Sequence, residues 1–180
     1  MTKDLEKVRS ELKKSGVNVL GPHPAPSSDL ASVNKFRSIC ETDKCGNYKK
    51  SWTCPPAVGS PDDCVNKLKK FKNAMIITKK FDIDLNDEDG LKSIIVTHQD
   101  ICRKAKKVFI EEGFNVLALT DGRCCFCTDC SYPEPCIALE EQMPSVSGFG
   151  IDMAEYITKC GIEFSFEKTT ATLYGLIMYS

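Results

Sequence analysis

The sequence predicts a single α/β or α+β domain: a mixed sheet with a βαβ unit, helices packed around it, and two long cysteine-rich loops. Three observations carry this reading. An apolar run, a long amphipathic helix and a second apolar run follow one another between residues 74 and 119. Two segments without any period, 38–59 and 120–149, hold eight of the eleven cysteines. The length of 180 residues fits one domain and is enough to bury a core without covalent staples, so residues 1–180 read as one metal-binding domain.

The elements follow in order. Leu5, Val8 and Leu12 recur at helical spacing before Gly16, which predicts a helix over 3–15. Val17 to Leu20 is a short strand. Residues 21–28, with three prolines and two serines, read as loop. Asp29 caps a short helix whose Leu30, Val33 and Phe36 share a face. After the first irregular loop, Ser60-Pro61-Asp62-Asp63 is a helix start, and Cys64, Leu68 and Phe71 line that helix. Ala74 to Ile77 is a buried strand. The long helix runs from about Asp87 to Glu112, with Leu91, Ile94, Ile95, Ile101, Ala105, Val108 and Phe109 on its apolar side, and Gly113 ends it. Phe114 to Leu119 is the next strand, parallel to the first with a right-handed crossover. A helix over Ile151–Cys160 closes at Gly161, and two strands, near Ile162–Phe166 and Leu173–Tyr179, finish the chain.

Composition narrows the function. With 42% hydrophobic and 27% charged residues the chain reads as soluble and globular. A formal charge of −1 provides no electrostatic drive toward nucleic acid or an anionic membrane. No apolar run approaches the roughly 18–20 residues that span a bilayer. The segment Met1 to Lys7 is charged and lacks the apolar stretch of a signal peptide. A cytoplasmic location is therefore expected. An odd number of cysteines in a reducing compartment points to metal or redox chemistry rather than a disulfide framework.

The cysteines sort into two kinds. Cys64, Cys102 and Cys160 lie on apolar helix faces, where a free thiol packs as a small hydrophobe. Cys124, Cys127 and Cys130 repeat as C-x2-C-x2-C, with Cys136 five residues further on. Two intervening residues let the chain wrap a centre and turn successive thiolates inward, the rhythm of bacterial ferredoxins apart from the longer last gap. Zinc sites more often use two separated pairs. Cys125 falls outside the rhythm. The first loop reads C-x4-C-x8-C-P-P through Cys40, Cys45 and Cys54. Gly46 permits a tight turn there, Pro55 sets the chain direction after the last ligand, and Tyr48 and Trp52 are placed either to pack the loop or to shield a cluster. The candidate metal ligands are thus Cys40, Cys45, Cys54, Cys124, Cys127, Cys130 and Cys136. Because a cysteine beside proline often serves a neighbouring cluster in ferredoxins, the two loops are expected to meet, with Cys54 or Cys136 crossing between groups.

These two signatures resemble the predicted metal-binding proteins called domain of unknown function 2284. The first signature is matched by Cys40, Cys45, Tyr48 and Cys54-Pro55-Pro56. The second is matched by Gly122, Cys124, Cys127, Cys130, Cys136, Pro144-Ser145 and Gly150-Ile151-Asp152. The resemblance spans about residues 37–152 and implies metal binding. Ser147-Gly148 stands here where that family often carries Glu-Ala.

Other features carry less. His98 reads as a hydrogen-bonded core residue, His23 sits in a proline-rich loop, and Asp82, Asp84, Asp87, Glu88 and Asp89 surround a helix start. No dinucleotide, Walker or zincin motif is present. Lys44, Lys49, Lys50, Lys67, Lys69 and Lys70 form a basic stretch that offers a face to an acidic partner. Three functions stay open. One is an electron carrier with one or two 4Fe-4S clusters and a redox partner protein, its potential tuned by Arg123. The second is an enzyme whose cluster leaves one iron open to a small substrate. The third is a zinc-binding structural or interaction module. Two full cubanes need eight ligands and the signatures supply seven, so either Cys125, a non-cysteine group or an open iron makes up the count.

Overall fold

A computed structural model describes residues 3–163 and 169–180. Helix α1 (Leu5–Lys14) starts where the Asp4 carboxylate accepts from Lys7 N–H, and it buries Val8 and Leu12. Strand β1 (Asn18–Pro24) runs four residues further than the proline-rich sequence implied; a shift in register between Leu20 and His23 lets it pass Gly21-Pro22 and still pair with its neighbour. Helix α2 (Leu30–Glu41) is capped by Asp29 and α3 (Pro61–Leu68) by a reciprocal Ser60–Asp63 capping box, a contact of about 1 kcal/mol. Strand β2 (Asn73–Asp82), helix α4 (Glu88–Glu111), strand β3 (Val116–Leu119), helix α5 (Met153–Lys159) and strand β4 (Thr170–Tyr179) complete the order. The strand expected near Ile162–Phe166 lies mostly on 164–168, outside the described residues.

The sheet order is β1-β2-β4-β3, and each neighbouring pair is antiparallel. The strands flanking α4 run in the same direction, as the βαβ reading requires, but they are not neighbours. The C-terminal strand β4 lies between them, pairing with β2 from Asn73–Tyr179 to Asp82–Thr170 and with β3 from Val116–Tyr179 to Leu119–Leu176. The expected mixed sheet is therefore antiparallel at every strand pairing, and the α+β alternative describes it. The physical reason is that β4 is long and apolar enough to fill the centre, a fact that local periodicity does not rank against a direct β2–β3 pairing.

Both faces of the sheet are covered. Met75, Ile77, Ala118, Ile177 and Tyr179 pack against α1 and α4 through Val8, Leu12, Cys102, Ala105 and Phe109. On the other face Ala74, Ile76, Leu119, Leu176 and Met178 pack against Cys64, Leu68, Val146, Phe149 and Ile157. That is why β2 reads as an unbroken apolar run: Ala74 to Thr78 are buried on alternating sides. Each fully buried Ile or Met there contributes about 1.5–3 kcal/mol of transfer free energy. The long connections α2–α3 and β3–α5 leave this core, and together with Cys40 at the end of α2 they carry the candidate ligands.

Candidate metal centre

The two loops are built onto one end of the sheet. Thr120 continues from β3, and residues 144–146 lie alongside it: Thr120 N–H donates to the Pro144 carbonyl (2.9 Å) and Val146 N–H to the Thr120 carbonyl (3.0 Å). This bridge to Ser145 is parallel. Ser145 N–H then donates to the Thr53 carbonyl at 3.0 Å, which docks the first loop beside the second. Thr53 Oγ1 accepts from Cys124 N–H at 2.8 Å and lies 2.9 Å from Ser51 Oγ. Ser51, Thr53, Thr120 and Ser145 are all buried. The floor supplies the loops' backbone groups with partners that the sheet does not, while the Thr120 hydroxyl has no partner among the described residues.

Upon this floor the cysteines gather in two hollows. Cys124, Cys127, Cys130 and Cys136 line one of about 340 Å³, counting its open mouth, together with Ser51, Trp52 and Thr53 of the first loop. Cys40, Cys45 and Cys54 line the other, of about 300 Å³ on the same measure, together with Tyr48, Gly122, Ser145 and Ser147. The loops therefore meet, as expected, but the exchange between them is made by serines, Thr53, Trp52 and Gly122. Cys54 and Cys136 each line the hollow of their own loop.

In the first hollow, Cys40 is not in irregular chain but in the last turn of α2. Gly150 fixes that helix: it has φ +70°, and a Cβ there would stand 2.6 Å from Ser28 Oγ and from Val33 N, so only glycine lets α2 approach the 147–150 turn. Gly46 takes φ +70° at the expected tight turn, Asp43 accepts from Tyr48 N–H at 2.9 Å, and Lys49 N–H donates to the Pro55 carbonyl at 3.2 Å. Cys54 is buried and its thiol is pushed up to about 12, mainly by burial and then by the charges of Cys45 and Cys40; the Ser145 hydroxyl and Arg123 oppose this. Burial, then the Cys45 charge, raises Cys40, against a hydrogen bond from the Ser147 hydroxyl. Three thiols that repel one another when ionised make a site that a bound cation would stabilise.

The second hollow is wired differently. Burial acts upward on Cys130, but the N–H groups of Tyr132 and Trp52, the Ser51 hydroxyl and the Arg123 charge together outweigh it, and the thiol is lowered. Trp52 Nε1 donates to the Glu134 carbonyl at 2.8 Å, and its ring meets Tyr132 edge-on at 5.1 Å. Helix α4 holds the loop from behind. Gln99 Nε2 donates to the Arg123 carbonyl (2.8 Å) while its Oε1 accepts from Cys125 N–H (2.8 Å). Arg103, only 4% exposed, donates to Gln99 Oε1 (3.1 Å), Asp100 Oδ1 (2.8 Å), the Glu141 carbonyl (3.1 Å) and Cys124 Sγ (3.4 Å), and lies over the Phe126 ring. A buried guanidinium with this many acceptors is rigid, and it presents a positive charge to a candidate ligand.

Gln99 and Arg103 carry no motif, yet they left a trace in the sequence: they are polar residues four apart on a helix face otherwise built of Ile95, Cys102 and Ala105. The remaining cysteines stand apart. Cys125 Sγ contacts the Arg123 carbonyl at 3.3 Å and lines neither hollow. Cys64 and Cys102 are buried in the core, and Cys160 caps α5 half-buried. His98 is buried with Nε2 donating to the Ile77 carbonyl at 3.2 Å, the core role expected of it.

The donor set tests what the hollows can hold. Among the described residues each is lined by thiols with no carboxylate or imidazole, a soft set suited to zinc, copper(I) or iron–sulfur groups and unsuited to magnesium or calcium. The sulfurs stand around the hollows; among the described residues no three His, Cys, Asp or Glu side chains form a group that would grip a single ion. No helix among the described residues is long and apolar enough to cross a membrane.

No curated protein and no solved structure matches the chain. A family model described as predicted metal-binding protein (DUF2284) matches residues 25–179, which takes in both loops and all seven hollow-lining cysteines. The chain belongs to this family of predicted metal-binding proteins.

Proposed function

We infer that the chain binds 4Fe-4S clusters in its two hollows and passes electrons to or from a partner protein. The observation that carries this reading is the gathering of Cys124, Cys127 and Cys130, spaced in the ferredoxin rhythm, together with Cys136 around one hollow that is open at the surface. Zinc sites more often use two separated pairs of ligands than a run of this rhythm. A bound cluster of this kind accepts and releases single electrons.

The chain's own residues do the rest. Arg103 and the N–H groups that Tyr132 and Trp52 aim at Cys130 stabilise added negative charge. Trp52 and Phe126 line the same hollow with apolar rings. Phe126, Ile137 and Leu139 are exposed beside it, an apolar surface suited to a protein partner. Exposed Lys44 and Lys49 border the first loop and favour an acidic one. Eleven unpaired cysteines suit a reducing compartment such as the cytoplasm.

Anaerobic purification followed by iron, acid-labile sulfide and zinc analysis tests the reading. Brown protein with iron and sulfide in equal amounts, bleached reversibly by dithionite, is the expected result. Stoichiometric zinc without sulfide overturns it.

A further inference from the structure

The two hollows are alike in size and unlike in donors, and this difference has a chemical consequence. The second hollow is lined by four cysteines. The first is lined by three, and its remaining wall consists of Asn47, Tyr48, Pro55, Gly122, Ser145 and Ser147. The eighth cysteine of the loops does not make up the count: Cys125 contacts the Arg123 carbonyl, and its N–H is held by Gln99 on α4.

Ser145, Tyr48 and Asn47 of the first hollow are already engaged. Ser145 Oγ accepts from Gly148 N–H at 3.1 Å. Tyr48 Oη donates to Glu41 at 3.3 Å, and Asn47 Nδ2 donates to the Cys45 carbonyl at 3.0 Å. Neither Arg37 nor Arg123 lines this hollow; Arg37 Nη2 donates instead to the Gly59 carbonyl at 2.6 Å and to Cys64 Sγ at 3.4 Å.

We propose that the first hollow is a ligand-binding site: Cys40, Cys45 and Cys54 hold three irons of a cluster, and the fourth iron, left without a protein thiolate, takes a small exogenous ligand that donates an electron pair. This rests on the cluster reading above and goes beyond electron transfer, because it assigns different work to the two centres. The four-cysteine centre carries electrons; the three-cysteine centre binds a small molecule.

The experiment uses the full chain, loaded anaerobically, as wild type, Cys125→Ser and Ser147→Cys. Iron and sulfide are counted first, so that failure of the cluster reading is seen separately. Each protein is then oxidised with ferricyanide. An iron without a protein thiolate leaves as one ferrous ion while one electron passes to ferricyanide, and the three-iron product has its own EPR signal. Wild type and Cys125→Ser should each lose one iron per chain and give that signal, and added ferrous ion should restore the original spectrum. Ser147→Cys, which supplies a fourth thiol to the same wall, should suppress the loss. As a ligand probe, cyanide should shift the EPR spectrum of the reduced wild type and not that of Ser147→Cys. A wild type that holds two full clusters, keeps all its iron on oxidation and ignores cyanide overturns the proposal while leaving the cluster reading intact. The same holds if the iron loss appears only once Cys125 is replaced. Absence of sulfide in every sample overturns both.

Discussion

The first and second hollows share a floor but reach their geometry by different means. The first is made by a helix end and a turn: Cys40 is carried on α2, whose approach depends on Gly150, and Cys54 is buried against Ser145. The second is made by a loop pinned from behind: Gln99 and Arg103 of α4 hold its backbone and one of its sulfurs. In the first hollow burial outweighs the hydroxyls and arginines that oppose it at Cys40 and Cys54, while in the second the N–H donors, the Ser51 hydroxyl and Arg123 outweigh burial at Cys130. The lesson is that ligand spacing brings thiols together in both, whereas the groups behind the thiols decide how readily each gives up its proton and how much negative charge each centre tolerates.

The comparison can be broken most severely by removing a ligand. Cys127→Ala should lose about half of the iron and sulfide and destabilise the second loop, because binding energy that supports the fold goes with the metal. The first centre should persist, since Thr53 and Ser145 hold its wall without Cys127. Loss of all the metal in this variant would show that the hollows are one cooperative site.

A second contrast lies in pH. Metal uptake by the apoprotein displaces thiol protons. Cys54 is raised to about 12 and Cys40 is raised, so the first hollow holds its protons to higher pH; Cys130 is lowered, so the second releases one sooner. Reconstitution of the apoprotein with iron and sulfide, followed by visible absorbance, should therefore have a higher midpoint pH in Cys127→Ala, which keeps the first hollow, than in Cys45→Ala, which keeps the second. Equal midpoints would remove the electrostatic distinction drawn here.

Arg103 sharpens the comparison without removing a ligand. Arg103→Gln takes a positive charge from beside Cys124. The reduced centre is the more negative, so its potential should fall by tens of millivolts, on the scale of about 59 mV for each tenfold change in a one-electron equilibrium. The shift should appear in the second centre only, read by EPR-monitored redox titration. The smallest effect is expected outside both hollows. Cys102→Ala truncates a buried thiol between α4 and the sheet and should cost about 1 kcal/mol in chemical denaturation with metal content unchanged.

Much of this was legible in the linear sequence. The seven loop cysteines, their division into two groups, the capped starts at Asp29 and Ser60, the buried run Ala74–Ile77 and the long helix all follow from spacing, periodicity and turn chemistry. These are local quantities, set by residues within a few positions of one another. Cys64 and Cys102 likewise declared themselves as core by their helical phase. Tertiary structure alone decided the rest. It inserted β4 between β2 and β3, because strand partners are chosen by competition for the sheet centre across the whole chain. It kept Cys54 and Cys136 with their own loops and sent Ser51, Trp52 and Thr53 across instead. It put Arg103 and Gln99 behind the second loop, some twenty residues from the cysteines they support. Residue types and spacing determined which atoms are available to a metal; only the packing of distant segments determined which thiols share a centre and what charge stands behind them, because those contacts depend on distances that no local pattern encodes.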